Sequence, residues 1–160
     1  MMKKIFLIIC IGCFALKSIA QNNPFKINGD SVTVHNRVEF YNYDGPYGHQ
    51  EHIKKSAVKL ILIIKNKGTK PLPDLCVTNR SAYVNMIIND SIQNPVSFYN
   101  GAEAPGVHLL QNGGTDTYEW WFFEDEKPYG NVFTAQWSYL GLLSEKRKVN
   151  LSKRAAEIIK

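Results

Sequence analysis

His49-Gln50-Glu51-His52 sets two imidazoles three residues apart, with a carboxylate between them and Asp44 upstream. These types in this spacing are the nearest the chain comes to a metal centre. A bound ion needs three or four convergent ligands with a supporting shell. The string lacks the H-E-x-x-H spacing by which a helix presents zinc ligands, and a loop supplies no fixed third ligand. A solvated polar loop is the expectation, with no metal. No nucleophile elbow, phosphate loop or dinucleotide fingerprint occurs. Cys76 stands in Leu75-Cys76-Val77, an apolar setting that blunts reactivity, and His35 and His108 are isolated. Glu124-Asp125-Glu126 is a run of carboxylates on a turn. Glycosidase carboxylates must face each other across a cleft, which consecutive turn residues do not do, so this run reads as solubilising. No catalytic residue and no cofactor are expected.

Aromatic chemistry is the stronger lead. Residues 115–124 read TDTYEWWFFE. Strand alternation puts Tyr118, Trp120 and Phe122 on one face and Trp121 and Phe123 on the other. One set must face the core. If the other face is wet, Trp121 and Phe123 offer a platform for a sugar ring, a peptide or a partner's apolar patch. Tyr41, Tyr43 and Tyr47 extend it if the first loop, with His49 and His52, folds nearby. The opposite outcome is burial of both faces, the outer one beneath the segment around Asn100 or the C-terminal tail.

The elements that must position these residues read as strands. Residues 31–34 and 37–43 alternate, and 42–52 come next as a loop around Asp44-Gly45-Pro46-Tyr47-Gly48. Residues 57–66 are the strongest strand. Val58, Leu60, Leu62 and Ile64 line one face, with Ile61 and Ile63 on the other, which marks a central strand. Residues 66–70 turn, and Pro71 and Pro73 make the next segment irregular or an edge. Residues 82–89 place Val84, Met86 and Ile88 inward, and 131–140 place Phe133, Ala135, Trp137 and Tyr139 on one face. Short strands are expected at 95–99 and 107–110, and a last one at 146–151. Residues 153–160 have the pattern of about two helical turns, too short to stand alone. Some eight or nine strands with regular turn signals predict an antiparallel sandwich.

The first twenty residues read MMKKIFLIICIGCFALKSIA. Lys3 and Lys4 precede an apolar run, Lys17 closes it, and Ser18 and Ala20 suit a cut before Gln21. That is the layout of a secretory signal peptide, and the run is short for a membrane span. The expectation is an exported chain, periplasmic or extracellular, of residues 21–160. Neither Cys10 nor Cys13 has the context of a lipid attachment site. Only Cys76 would remain, which leaves no intramolecular disulfide. The net charge of +5 shrinks once the leader goes: 16 Lys and Arg face 14 Asp and Glu. Residues 146–160 carry six of those cations, so the rest is mildly acidic and has no basic face for nucleic acid. The division expected is a leader at 1–20, a sandwich at 21–152 and a basic, solvated tail at 153–160.

Three stretches carry a resemblance: AVKLILIIKNKGTKPLPDL, LLQNGGTDTYEWWF and GNVFTAQWSY. With them the layout from Ala57 onward resembles bacterial exported immunoglobulin-like domains, the small sandwiches grouped with CARDB-type and proteinase-inhibitor-type modules. The resemblance implies a central strand with an N-x-G turn after it, and a strand through the core before the last edge. The chain departs from it in lacking a cysteine pair. Phe133 also stands where a tyrosine corner would want a hydroxyl. No ligand or activity carries over. The function expected is a non-catalytic binding module that contacts a protein or glycan at the cell envelope. Trp121, Phe123, Tyr41, Tyr43, Tyr47, His49 and His52 are its contact residues. The alternatives are an inhibitor or immunity protein that blocks an enzyme with a surface loop and, second, an envelope hydrolase. The oligomeric state is not legible.

Overall fold

Runs of alternating apolar and polar residues need a ladder partner, and among the described residues such runs find one. The computed structural model describes residues 27, 29–75, 83–93 and 109–160. After a 3-10 turn at Gly29–Ser31 come β1 (Val32–Tyr47), β2 (Gln50–Asn66), β3 (Leu72–Pro73), β4 (Val84–Ile88) and β5 (Ser91–Ile92). Then come β6 (Leu109–Leu110), β7 (Thr115–Phe123), β8 (Val132–Tyr139), β9 (Leu142–Leu143), β10 (Lys146–Asn150) and β11 (Ala155–Ile159). Every pairing is antiparallel. One sheet runs β1-β2-β7. A second runs β11-β10-β8-β4-β5 with β9 added to β8, and β3 and β6 make a small ribbon. The chain is an all-β sandwich. Among the described residues no helix is long and apolar enough to cross a membrane.

The core lies between the two larger sheets. Val58, Leu60, Leu62 and Ile64 of β2 meet Val84, Met86 and Ile88 of β4 and Phe133, Ala135, Trp137 and Tyr139 of β8, all buried. These are the inward sets that alternation predicts. Ala57 and Ile61, on the opposite face of β2, are also fully buried, as a central strand requires. Tyr118 meets Trp137 edge-on at 5.9 Å. The Tyr139 hydroxyl donates to the Pro73 carbonyl, so a tyrosine does pin β8 to the short strand β3, from a residue other than Phe133. The turn after β2 is tied by Asn66. Its amide donates to the carbonyls of Lys70 and Leu110, each at 2.9 Å, and its oxygen accepts Gly68 N–H at 2.9 Å. Gly68 has to be glycine, because a Cβ there would stand 2.7 Å from Ser31 Cβ.

Three expectations are corrected. Residues 42–52 are not a loop: β1 and β2 run on as a hairpin closed by Gly48 and His49. Gly48 takes φ +60, the glycine-first geometry of a two-residue hairpin turn. Gly45 and Pro46 read as breakers, yet the register shift beside them absorbs the break, and Pro46 has no N–H to lose from the ladder. Residues 153–160 are not helical: most of their side chains are exposed, but their backbone forms an edge strand. Arg154 at φ +47 reverses the chain, and β11 pairs with β10 from Asn150↔Ala155 to Lys146↔Ile159. A lone two-turn helix has no such partner. The strand count is eleven among the described residues, because two-residue bridges such as β3, β5, β6 and β9 are too short for alternation to announce. The leader at 1–20, Cys76, the segments at 95–99 and 100–106, and His108 lie outside the described residues.

Candidate functional site

β7 pairs with β2 from Lys65↔Thr115 to Ala57↔Phe123 and ends there. β1 and β2 continue beyond it, Tyr43 opposite Lys55 and Gly45 opposite Ile53, as a two-stranded arm. A bare hairpin is marginal in water, so an arm of this kind needs packing from elsewhere. Two sets of contacts provide it.

The first set is aromatic. Tyr43 stacks on Trp121 at 5.6 Å with 13° between the rings, and meets Phe123 edge-on at 5.6 Å. Tyr47 meets Phe123 edge-on at 4.9 Å and Trp121 at 6.0 Å. The Tyr43 hydroxyl donates to the Pro46 carbonyl, closing the bend that leads to Tyr47. Phe123 is left 2% exposed, Trp121 is half-buried and Tyr47 is 45% exposed. The expected bare pair of Trp121 and Phe123 is therefore corrected. Phe123 is interior, and the open aromatic surface belongs to Tyr47, with Tyr43 and Trp121 partly reachable beside it. Tyr43, Tyr47 and Lys55 of the arm and Trp121 of β7 lie against the Phe123 ring.

The second set is one guanidinium. Arg154 donates to Asn42 Oδ1 and Ser56 Oγ, each at 3.1 Å, and to the Tyr41 carbonyl at 3.2 Å. Its Nε lies 3.5 Å from Glu124 Oε1, and the group sits 5.9 Å from the Phe40 ring centre. Arg154 thus ties the β10–β11 turn to both strands of the arm and to the end of β7. Nothing in its sequence setting marks it, since it lies among terminal charges.

The other expected contact residues fall around this cluster. Tyr41 lies beneath Lys59, whose ammonium is 5.2 Å from the ring centre and 2.7 Å from Glu119. Burial, then Glu119 and Tyr43, raises the Tyr41 phenol pKa. His49 is exposed in the turn. His52 pairs with Asp44, which also takes Lys54 at 3.1 Å. Among the described residues no three His, Cys, Asp or Glu side chains converge. The acidic turn is more engaged than a solubilising run. Glu124 meets Arg154, Asp125 accepts Lys55 at 2.8 Å, and Glu126 accepts the Phe123 N–H at 3.2 Å. The bond between Lys55 and Asp125 favours both charged forms, raising the lysine pKa and lowering that of the aspartate.

A third cluster locks β1 to the second sheet away from the arm. The buried Asn36 amide donates to the Ala135 carbonyl at 2.8 Å, and its backbone N–H donates to Glu145 Oε2 at 3.0 Å. His35 Nδ1 lies 2.6 Å from Glu145 Oε1. Burial pushes the Glu145 carboxyl up, but the bonds from Asn36 and His35 outweigh it, and the net direction is down.

Comparison of the chain with family models, with curated proteins and with solved structures returned no match. The chemistry open to the site therefore rests on its own geometry. Ring faces and edges at the arm tip can bury apolar surface and stack, and Lys, Asp and Asn side chains around them can hydrogen-bond.

Proposed function

We propose that this chain is an exported, non-catalytic binding module that contacts a protein or glycan ligand at the cell envelope through the β1–β2 arm. The observation that carries this is Tyr47: a large ring 45% exposed at the arm tip, backed by Tyr43, Trp121 and the buried Phe123. Rigid Tyr and Trp side chains lose little entropy on contact and dominate binding surfaces. Export is supported by the leader pattern at 1–20. An immunoglobulin-like architecture is supported by two antiparallel sheets and the Asn66-x-Gly68 turn after the central strand. A second reading, an inhibitor that plugs an enzyme's cleft, is favoured by the arm itself, a tight two-residue turn carried past the end of β7.

Photo-crosslinking in intact cells tests the proposal. A photoreactive residue at position 47 should give an envelope adduct. The same residue at exposed Lys148 on β10 should not. Equal labelling from both positions would remove the arm as the contact surface. Under the inhibitor reading the adduct is an enzyme, and Gly48 and His49 variants lose inhibition while Tyr47→Ala keeps it.

A further inference from the structure

The end strand of a sheet carries a row of backbone N–H and C=O groups that its single neighbour leaves unused, and such a row is a template for another strand. Most ends of these sheets are blunted. On β1, Glu145 accepts the Asn36 N–H and Arg147 Nε donates to the Asn36 carbonyl. On β7, Asp116 accepts the N–H of Thr117 and that of Leu75, and Glu126 accepts the N–H of Phe123. β5 is only two residues long. β11 has none of these devices. It pairs with β10 over five residues without a register shift and contains no proline. Beyond that ladder its backbone has no partner among the described residues.

The side chains along that row define what fits it. Ala156 and Ile158 lie on the core-facing side of the sheet, level with Val149 and Arg147 of β10, and Ile158 is left 58% exposed. Glu157, the strand's one acid, is level with Lys148. Lys153 precedes the strand and Lys160 follows it. Both are exposed, and neither has an ion pair among the described residues. A second copy would bring the same charges. Pairing β11 with itself about Glu157 sets Glu157 against Glu157 and Arg154 against Lys160 at both ends, and like charges directly opposed destabilise a ladder. A segment with acids at its ends and apolar residues between meets Lys153 and Lys160 with opposite charge and covers Ile158. We propose that the free edge of β11 takes such a segment of another protein as an added strand. At about 3.3 Å per residue, the span from Lys153 to Lys160 matches a segment of roughly eight residues. No ring of the arm takes part, so this surface goes beyond the one proposed above.

The probe is a labelled eight-residue peptide with glutamate at each end and alternating valine and threonine between, titrated into the protein by fluorescence anisotropy. One control peptide has lysines in place of the glutamates, and another has two prolines at its centre. The acidic peptide should bind and the proline peptide should not. Binding should weaken about tenfold or more in the double variant Lys153→Glu with Lys160→Glu, which should take the lysine peptide instead. Lys160→Glu alone, at an exposed side chain, serves if the double variant does not fold. Amide exchange with the acidic peptide bound should slow within residues 155–159 and stay unchanged at 43–55. Tyr47→Ala should bind the peptide as the parent chain does, which keeps this surface distinct from the arm. Silence towards the acidic peptide, equal binding of the proline or lysine peptide, or unchanged exchange at 155–159 would overturn the proposal. A concentration-dependent dimer that protects 155–159 would overturn it too, by making a second copy the occupant.

Discussion

Replacing Arg154 by alanine takes one guanidinium away from Asn42, Ser56, the Tyr41 carbonyl and Glu124 together. Bonds to a charged donor contribute about 1.5–3 kcal/mol each where fully buried, and less at this part-exposed site. The expected cost of Arg154→Ala is about 1–3 kcal/mol in urea unfolding, with lysine a poor substitute because it lacks the planar fork. Arg154 also sits at φ +47. Glycine there should recover about 1 kcal/mol over alanine, since the left-handed region strains any Cβ. Glu145 supplies a pH prediction. Its native pKa is lowered, so its contribution is full above the ordinary carboxylate range and is lost as pH falls through the lowered value. Glu145→Gln should flatten the acid limb of the stability curve, measured by denaturant midpoints across acidic pH. Neither residue declares itself in the sequence. Arg154 and Glu145 work through partners about a hundred positions away, such as Asn42 and Asn36.

At the scale of elements, β2 was the most legible. Its apolar residues fall on both faces, and the strand lies between β1 and β7 as that pattern requires. The arm was the least legible, because Gly45, Pro46 and Gly48 carry the composition of a loop. What makes it strand is the stacking of Tyr43 and Tyr47 on β7 residues some eighty positions later. Amide exchange should show this dependence. Protection in the arm at 43–55 should be lower than in β2 at 57–65. In Tyr43→Ala it should fall by a further tenfold or more while β8 stays unchanged. An arm whose exchange ignored Tyr43 would mean that its ladder stands without the rings. The β10–β11 turn obeys the same logic: Ala155–Ile159 has too little apolar patterning to read as a strand, and its ladder to β10 decides the matter.

Across the whole molecule, the two sheets share one core, and Trp137 sits fully buried in it against Tyr118. Trp137→Ala should cost about 3–5 kcal/mol and lower the melting transitions seen by far- and near-ultraviolet dichroism together. Tyr139→Phe, which leaves the Pro73 carbonyl without its donor, should cost about 1–2 kcal/mol in the same assay. The amino-acid order alone determined the all-β class, the central strand and the inward sets of β2, β4 and β8. Those come from local alternation, which a residue satisfies with its near neighbours. Only the tertiary structure decided that Phe123 is covered, that the tail is an edge strand and that Arg154 reaches both strands of the arm. Each of these depends on which distant side chains arrive at one place, and pairwise contacts across the fold leave no periodic trace in the chain.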